Sequence, residues 1–508
     1  MTPENNLANE DLLASALAVA ETVEGEEHSE LLEAIATEYC RRGDLSTAEE
    51  LAETIQDPYL RDRTIGTLAA LSFDVQEPES ANQLLDSIED PSLVAIAIEQ
   101  TAISLAKRGE FEEAIRLTDE LVDPADALSN IAVLYAQSGA FEAAIEVAKM
   151  IEPAHSRTTT FGQIALESVD KGRAEEASEL LREATSAAAE IEFPEDQVYS
   201  LAGLASIYEK LGDRESALDR LMQAHELCGD IESSAGVGIT ATAGRDQALS
   251  QVVGGLAALN DYSQADSVLE EIEDPFQFSL ASMQLAEAYH KDGKQGAARD
   301  LLDQAVEIAR EPELTGERGI AVREQVLSML AYRYALCGYF DESLKIAESI
   351  TGTDQKTSLL VDIGRQLVVA GRDASRAAEF LTDLSKTSTF WMAVSDAYWD
   401  ANLPEEAARA ITKAQASADA IEYAYEKSLA LKEIARRLSS RKQSERAGIA
   451  FGKARMAIET IEVSYKKALA LLELAQIQKS VSLQPNHTDR SAVIDPETVW
   501  ISSNPIME

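Results

Sequence analysis

The chain has 508 residues, 45% hydrophobic but only 6% aromatic, and its 90 acidic against 44 basic residues give a net charge of −46. A surface of that sign repels duplexes and other phosphate surfaces, which excludes nucleic acid as an expected partner. Pro (13) and Gly (25) are scarce, Ala and Leu dominate, and alternating β-branched runs are missing, so a β-rich fold is excluded as well.

No stretch approaches the roughly 20 apolar residues of a spanning helix, and residues 1–11 lack a basic and apolar leader. Cys40, Cys228 and Cys337 are far apart and form no CxxC pair. Together these features point to a reducing, cytoplasmic setting without membrane insertion. The acidic excess also suits a high-salt cytoplasm, where acidic surface keeps a protein soluble and salt screens its self-repulsion.

In chain order, residues 1–9 are expected to be disordered. Residues 10–24 (EDLLASALAVAETVE) read as one isolated helix. From residue 26 a two-helix unit recurs. Its first helix, A, carries a small residue seven positions before a turn: Ala36, Ala69, Ala102, Ala132, Ala165, Ala205, Ala286, Ala331, Gly364, Ser395 and Ala435. Three positions after the small residue come Tyr39, Tyr135, Tyr208, Tyr289, Tyr334 and Tyr398, which is helical spacing along one face. The turn is Gly43, Gly109, Gly139, Gly172, Gly212, Gly293 or Gly338, replaced by Asn260 and Asn402, which also tolerate left-handed backbone. Gln76 and Lys442 stand there without that tolerance, and the unit of Gly371 is irregular.

Five residues after the turn, helix B carries its own small residue, as at Ala48, Ala81, Ala114, Ala144, Ala177, Ala217, Ala265, Ala298, Ser343, Ala407 and Ala447. Short side chains there let A and B approach closely. Seven residues further lies an apolar position (Ile55, Ile88, Leu121, Ile151, Ile272, Ile350), often followed by Pro58, Pro91, Pro124, Pro153 or Pro275. Proline ends one helix and suits the first turn of the next. Longer loops follow some units, among them ESSAGVGITATAGRD and REPELTGERG. The unit that Leu474 and Ala475 begin has no second helix after it, and residues 481–508 lose the periodicity.

The alternation of small residue, tyrosine, turn glycine, alanine and proline resembles the tetratricopeptide repeat over roughly residues 26–480. Here the unit length varies and proline comes early, against a family period of about 34 residues. The resemblance implies an all-α, right-handed α-solenoid of about twelve helix–turn–helix repeats with half-repeat caps. The expected organisation is a half-unit near 10–25, repeats near 26–465, a final helix near 466–480 and a flexible tail over 481–508.

The resemblance also implies a non-catalytic interaction scaffold that holds a protein or peptide in its concave groove. Family groove positions lie one, four and five residues after the helix A small residue. They fall here on His290, Lys291, Tyr332, Arg365, Trp399 and Arg436, with Asp400 and Lys479. An exposed Trp or Arg in a groove is a typical anchor.

Catalytic, metal and cofactor motifs are missing. His28, His155, His225, His290 and His487 are scattered without an HExxH pair, and GVGITATAG (236–244) lacks the Lys-Ser/Thr ending of a phosphate loop. Charge is uneven: residues 1–100 hold 23 acidic and 4 basic side chains, whereas residues 405–480 hold 10 and 14. This asymmetry suggests a site for an acidic partner or for the acidic end of a second copy. The alternative expectations are therefore a self-associating chain, with the tail around Val493–Trp500 docked in a groove, or a regulatory or sensor subunit of a signalling or enzyme complex.

Overall fold

A computed structural model describes residues 11–74, 78–231, 243–310 and 316–482. The Gly-rich stretch, apart from Ala243 and Gly244, and the expected tail from residue 483 onward lie outside the described residues, as do residues 1–9. Every regular element among the described residues is an α-helix.

A single helix, α1 (Leu12–Ala20), comes first. Twelve A/B pairs follow. The first four are α2 (Glu26–Arg41) with α3 (Leu45–Thr54), α4 (Pro58–Asp74) with α5 (Pro78–Asp86), α6 (Pro91–Lys107) with α7 (Phe111–Thr118), and α8 (Ala125–Ser138) with α9 (Phe141–Lys149). Next come α10 (Ala154–Asp170) with α11 (Ala174–Ala188), α12 (Pro194–Leu211) with α13 (Arg214–Cys228), α14 (Ala243–Ala258) with α15 (Tyr262–Leu269), and α16 (Pro275–Lys291) with α17 (Gln295–Ala309). The last four are α18 (Gly316–Leu336) with α19 (Phe340–Ser349), α20 (Thr353–Val369) with α21 (Ser375–Ala378), α22 (Leu384–Asp400) with α23 (Pro404–Ala420), and α24 (Ala424–Ser440) with α25 (Ser444–Glu459). An unpaired α26 (Ser464–Ser482) closes the order.

Among the described residues, each A-to-B turn passes through one left-handed residue; the turn between α4 and α5 lies outside them. Gly43, Gly109, Gly139, Gly172, Gly212, Gly293, Gly338 and Gly371 have positive φ, and so do Asn260, Asn402 and Lys442 (φ 59°). The register read from the turns is therefore the register of the fold. The small positions face one another across each pair. Where one is serine, its hydroxyl donates to the opposing backbone: Ser343 Oγ to Ala331 O at 2.6 Å, and Ser395 Oγ to Ala407 O at 2.8 Å. Gly364 serves the contact with the next helix A instead: a Cβ there would lie 2.7 Å from the buried Phe390 ring of α22.

Three further sets of contacts carry the units together; the sequence marked the tyrosine positions but not the partners. Eight residues before the small position, a basic side chain reaches the last carbonyls of the preceding helix B. His28 Nδ1 meets Ala20 O at 2.9 Å, while Lys356, Lys427 and Lys467 donate to Glu348 O, Asp419 O and Glu459 O. The three lysines complement the negative end of the helix dipole. One residue later, a carboxylate holds the next connection. Asp62 accepts from the amides of Glu89 and Asp90 at 2.9 Å, and Asp246 from those of Glu273 and Asp274. Third, the tyrosines tie helix A to the preceding helix B, Tyr289 donating to Asp266 at 2.7 Å and Tyr334 to Asp303 at 2.5 Å.

Each helix A packs on the next helix A, whereas successive B helices make no comparable contact. On a curved stack the inner arc is the shorter, so the A helices form the concave wall. The two unpaired helices meet: α1 packs on α26 as closely as B packs on A within a pair. Each half-unit thus covers the other.

Lys442→Gly should raise the denaturation midpoint by an amount worth about 0.5–1 kcal/mol, because it relieves a left-handed lysine while adding disorder to the unfolded chain. Gly364→Ala should cost about 1–3 kcal/mol through overpacking on Phe390, read by chemical denaturation.

Candidate functional site

The expected groove residues fall on five consecutive helices of the concave wall: His290 and Lys291 on α16, Tyr332 on α18, Arg365 on α20, Trp399 on α22 and Arg436 on α24. Their exposures differ by register. Residues four positions after the small residue lie on the same helical face as it does, and that face meets helix B. Cys40, Ala106, Ala136, Ala335, Val368 and Ser439 occupy that position and are all buried. Arg365 and Arg436 at position one and Lys291 and Asp400 at position five are exposed, whereas Tyr332 at position one is half-buried against the core. His290 is half-buried, its Nδ1 2.9 Å from Gln295 Oε1 at the turn. The side chain of Lys479 lies outside the described residues.

Not every unit buries position four: Val169 and His290 are half-buried, and Glu209 and Trp399 are exposed. The Trp399 indole is 40% exposed, with the Arg441 guanidinium 5.0 Å from the ring centroid. Arg441 comes from the turn of the following unit and is itself held on several sides. It donates to Asp396 Oδ1 at 2.5 Å and to Ser395 Oγ at 2.7 Å, and its side chain is only 5% exposed. Arg437 Nε reaches the other oxygen of Asp396 at 2.9 Å, and Arg437 also pairs with Glu433. Arg436 grips Glu433 through both Nε and Nη2. The indole therefore stands on a network that joins α22 to α24.

This network also accounts for much of the basic run 435–446. Arg436, Arg437 and Arg441 have internal carboxylate partners, Arg446 donates to Thr412 and Gln443, and Lys442 forms the turn. Elsewhere on the wall, Lys291 and Arg333 share Glu287, while Arg365 has only a 3.5 Å pairing with Asp362 on its own helix. Val369, five residues after Gly364, is 75% exposed at the last position of α20, a helix that packs on α22. The sequence reading passed over Val369 although the register contained it. A cleft of about 520 Å³, lined by Gln197, Arg220, Gln223 and Glu226 among others, opens between α11, α12 and α13, away from these residues.

The thiols are packing groups. All three are buried outside any disulfide, and burial pushes Cys228 up to about 12 and Cys337 up to about 11. Among the described residues, no cluster of His, Cys, Asp and Glu is arranged to hold a metal ion. No helix among them is long and apolar enough to cross a membrane.

No family model matches the sequence, and no curated protein matches it. Among solved structures, the chain is similar to Ton1535 from Thermococcus onnurineus NA1 at 16% identity, covering 71% of this chain and 97% of that one with a TM-score of 0.25. It is similar to a Rap protein in complex with Competence and Sporulation Factor at 15% identity, covering 66% and 100% with a TM-score of 0.27. It is also similar to a human IFIT1 dimer with m7Gppp-AAAA at 14% identity, covering 80% and 95% with a TM-score of 0.30. The helix pairs and their turns, rather than these distant likenesses, make this a tetratricopeptide-like helical repeat chain.

Burial works against the charge on Glu433, but the hydrogen bonds and charges of Arg436 and Arg437 outweigh it and hold its carboxyl below the usual range. A depressed carboxylate stabilises the fold above its unfolded pKa, and that contribution is lost as pH falls through the folded value. Glu433→Gln should accordingly cost about 1 kcal/mol at neutral pH, a deficit that closes in acid, read as denaturation midpoints from pH 7 down to 3.

Proposed function

We propose that this chain is a non-catalytic interaction scaffold that captures a protein or peptide segment on the wall of A helices, in the sector from α16 to α24. The observation that carries the reading is Trp399, a large aromatic ring left 40% exposed at a register position that most units bury, with the Arg441 guanidinium 5.0 Å from its centroid. Arg441 and Asp396 hold it in place. A rigid aromatic anchor loses little entropy on binding, which is why such residues dominate interface energetics. Val369 and the weakly paired Arg365, both on the adjoining α20, extend the surface with apolar and cationic character. His290, Lys291, Tyr332 and Arg436 would supply the rim.

The same reading makes the acidic B helices and loops a solubilising exterior suited to a cytoplasm of high salt. The wall is far closer to charge balance than the chain as a whole. A segment with apolar and mildly charged residues therefore fits it better than a strongly charged polymer.

Trp399→Ala combined with Arg365→Ala should leave the circular dichroism spectrum unchanged and reduce capture of the partners retained by the wild-type chain at least about tenfold. Undiminished retention of every partner by the double variant would refute the wall as the binding surface.

A further inference from the structure

The contacts that build the arc are repeated across its two ends. α1 packs on α26 as a helix B packs on its helix A, and α1 lies against α2 as each B lies against the following A. α2 packs on α26 as one helix A packs on the next. Leu12, Leu13, Ala16 and Ala20 are at most 1% exposed there. The polar contacts follow the same rule. Arg42, six residues after Ala36, donates from Nη2 to Ala475 O at 2.9 Å. Lys171, six residues after Ala165, reaches the carbonyls of Ala136 and Gln137 on its preceding helix A in the same way. Tyr465 of α26 donates its hydroxyl to Glu30 of α2 at 2.9 Å. A stack whose ends are joined by the contacts of its middle is a ring, with α26 and α1 as a thirteenth pair.

One difference marks that pair. Each of the other pairs is tied by a turn between A and B, whereas α26 and α1 are not continuous in the chain. α1 is held by packing and by residues 21–25, which lead to α2. Its sequence, LLASALAVA, carries no charge and fits the face of α26 only through small and aliphatic side chains. At this seam α1 and α2, from the acidic first hundred residues, meet α26, from the basic stretch 405–480.

We propose that α26 and α2 form a helix socket whose occupant is α1, and that this joint separates as one unit, opening the ring while the twelve-pair arc stays folded. Local openings of this kind draw on the part of a structure with the fewest covalent ties. The socket takes a short, uncharged helix of alternating small and aliphatic residues, with α1 of its own chain as the partner.

Native-state hydrogen exchange on the full chain tests the joint. The amides of α1 and α26 should share a single protection level, at least about tenfold below that of α12 and α16. Protection of α1 equal to that of the central helices, or an α1 exchanging as freely as an unstructured peptide, would overturn the proposal. A second measurement tests the socket. The full chain carrying Leu13→Glu and Ala16→Glu should bind a labelled peptide of residues 10–24 at one per chain, and at least about tenfold more tightly than the unsubstituted chain does. Absence of peptide binding by the substituted chain, or loss of helicity beyond that of α1, would count against it.

Discussion

No helix pair in this chain can bury its own apolar face. Each pair is a thin layer whose two sides must both be covered, so every unit depends on the next for its core. The contact that permits this is the crossing of two short side chains within a pair, seen directly where Ser343 and Ser395 bond across it to the partner backbone. A longer side chain there separates A from B and disturbs two interfaces at once. In an open solenoid, the same dependence leaves one bare face at each end. Here α1 and α26 supply each other's missing half, and the burial of Leu12 and Leu13 contributes roughly 2–3 kcal/mol per side chain.

Charge is distributed in the service of the same architecture. Many basic side chains of this acidic protein serve the joints between units, capping helix B carbonyls from the position of His28, Lys356, Lys427 and Lys467. The basic run near 440 locks α22 to α24 and supports Trp399. A stretch that looks like an electrostatic docking site in the sequence is thus largely spent on internal pairs. What it leaves at the surface is an aromatic ring, a valine and a lightly paired arginine.

The repeat could be read from the sequence because its rules are local. A left-handed residue is required at each turn, short side chains are required at each crossing, and both requirements act within about twenty residues. Gly43, Asn402 and even Lys442 therefore mark the units correctly. The irregular unit after Gly371 was also visible, and its helix B is indeed only Ser375–Ala378. The groove positions were less legible. Four residues after the small position lies the face turned toward helix B, so sequence spacing placed His290 and Trp399 on a stripe that most units bury.

What the sequence by itself determined is the pair: where each helix starts, turns and stops, and which residues touch across it. The tertiary structure alone decided how the pairs relate over distance. The carboxylate partners of Tyr289 and Tyr334, the support beneath Trp399 and the meeting of α1 with α26 are all of this kind. The reason is cumulative geometry. Curvature arises from a small rotation at every interface, and whether the rotations of twelve pairs bring the ends together depends on all of them, with no single residue or spacing to announce it.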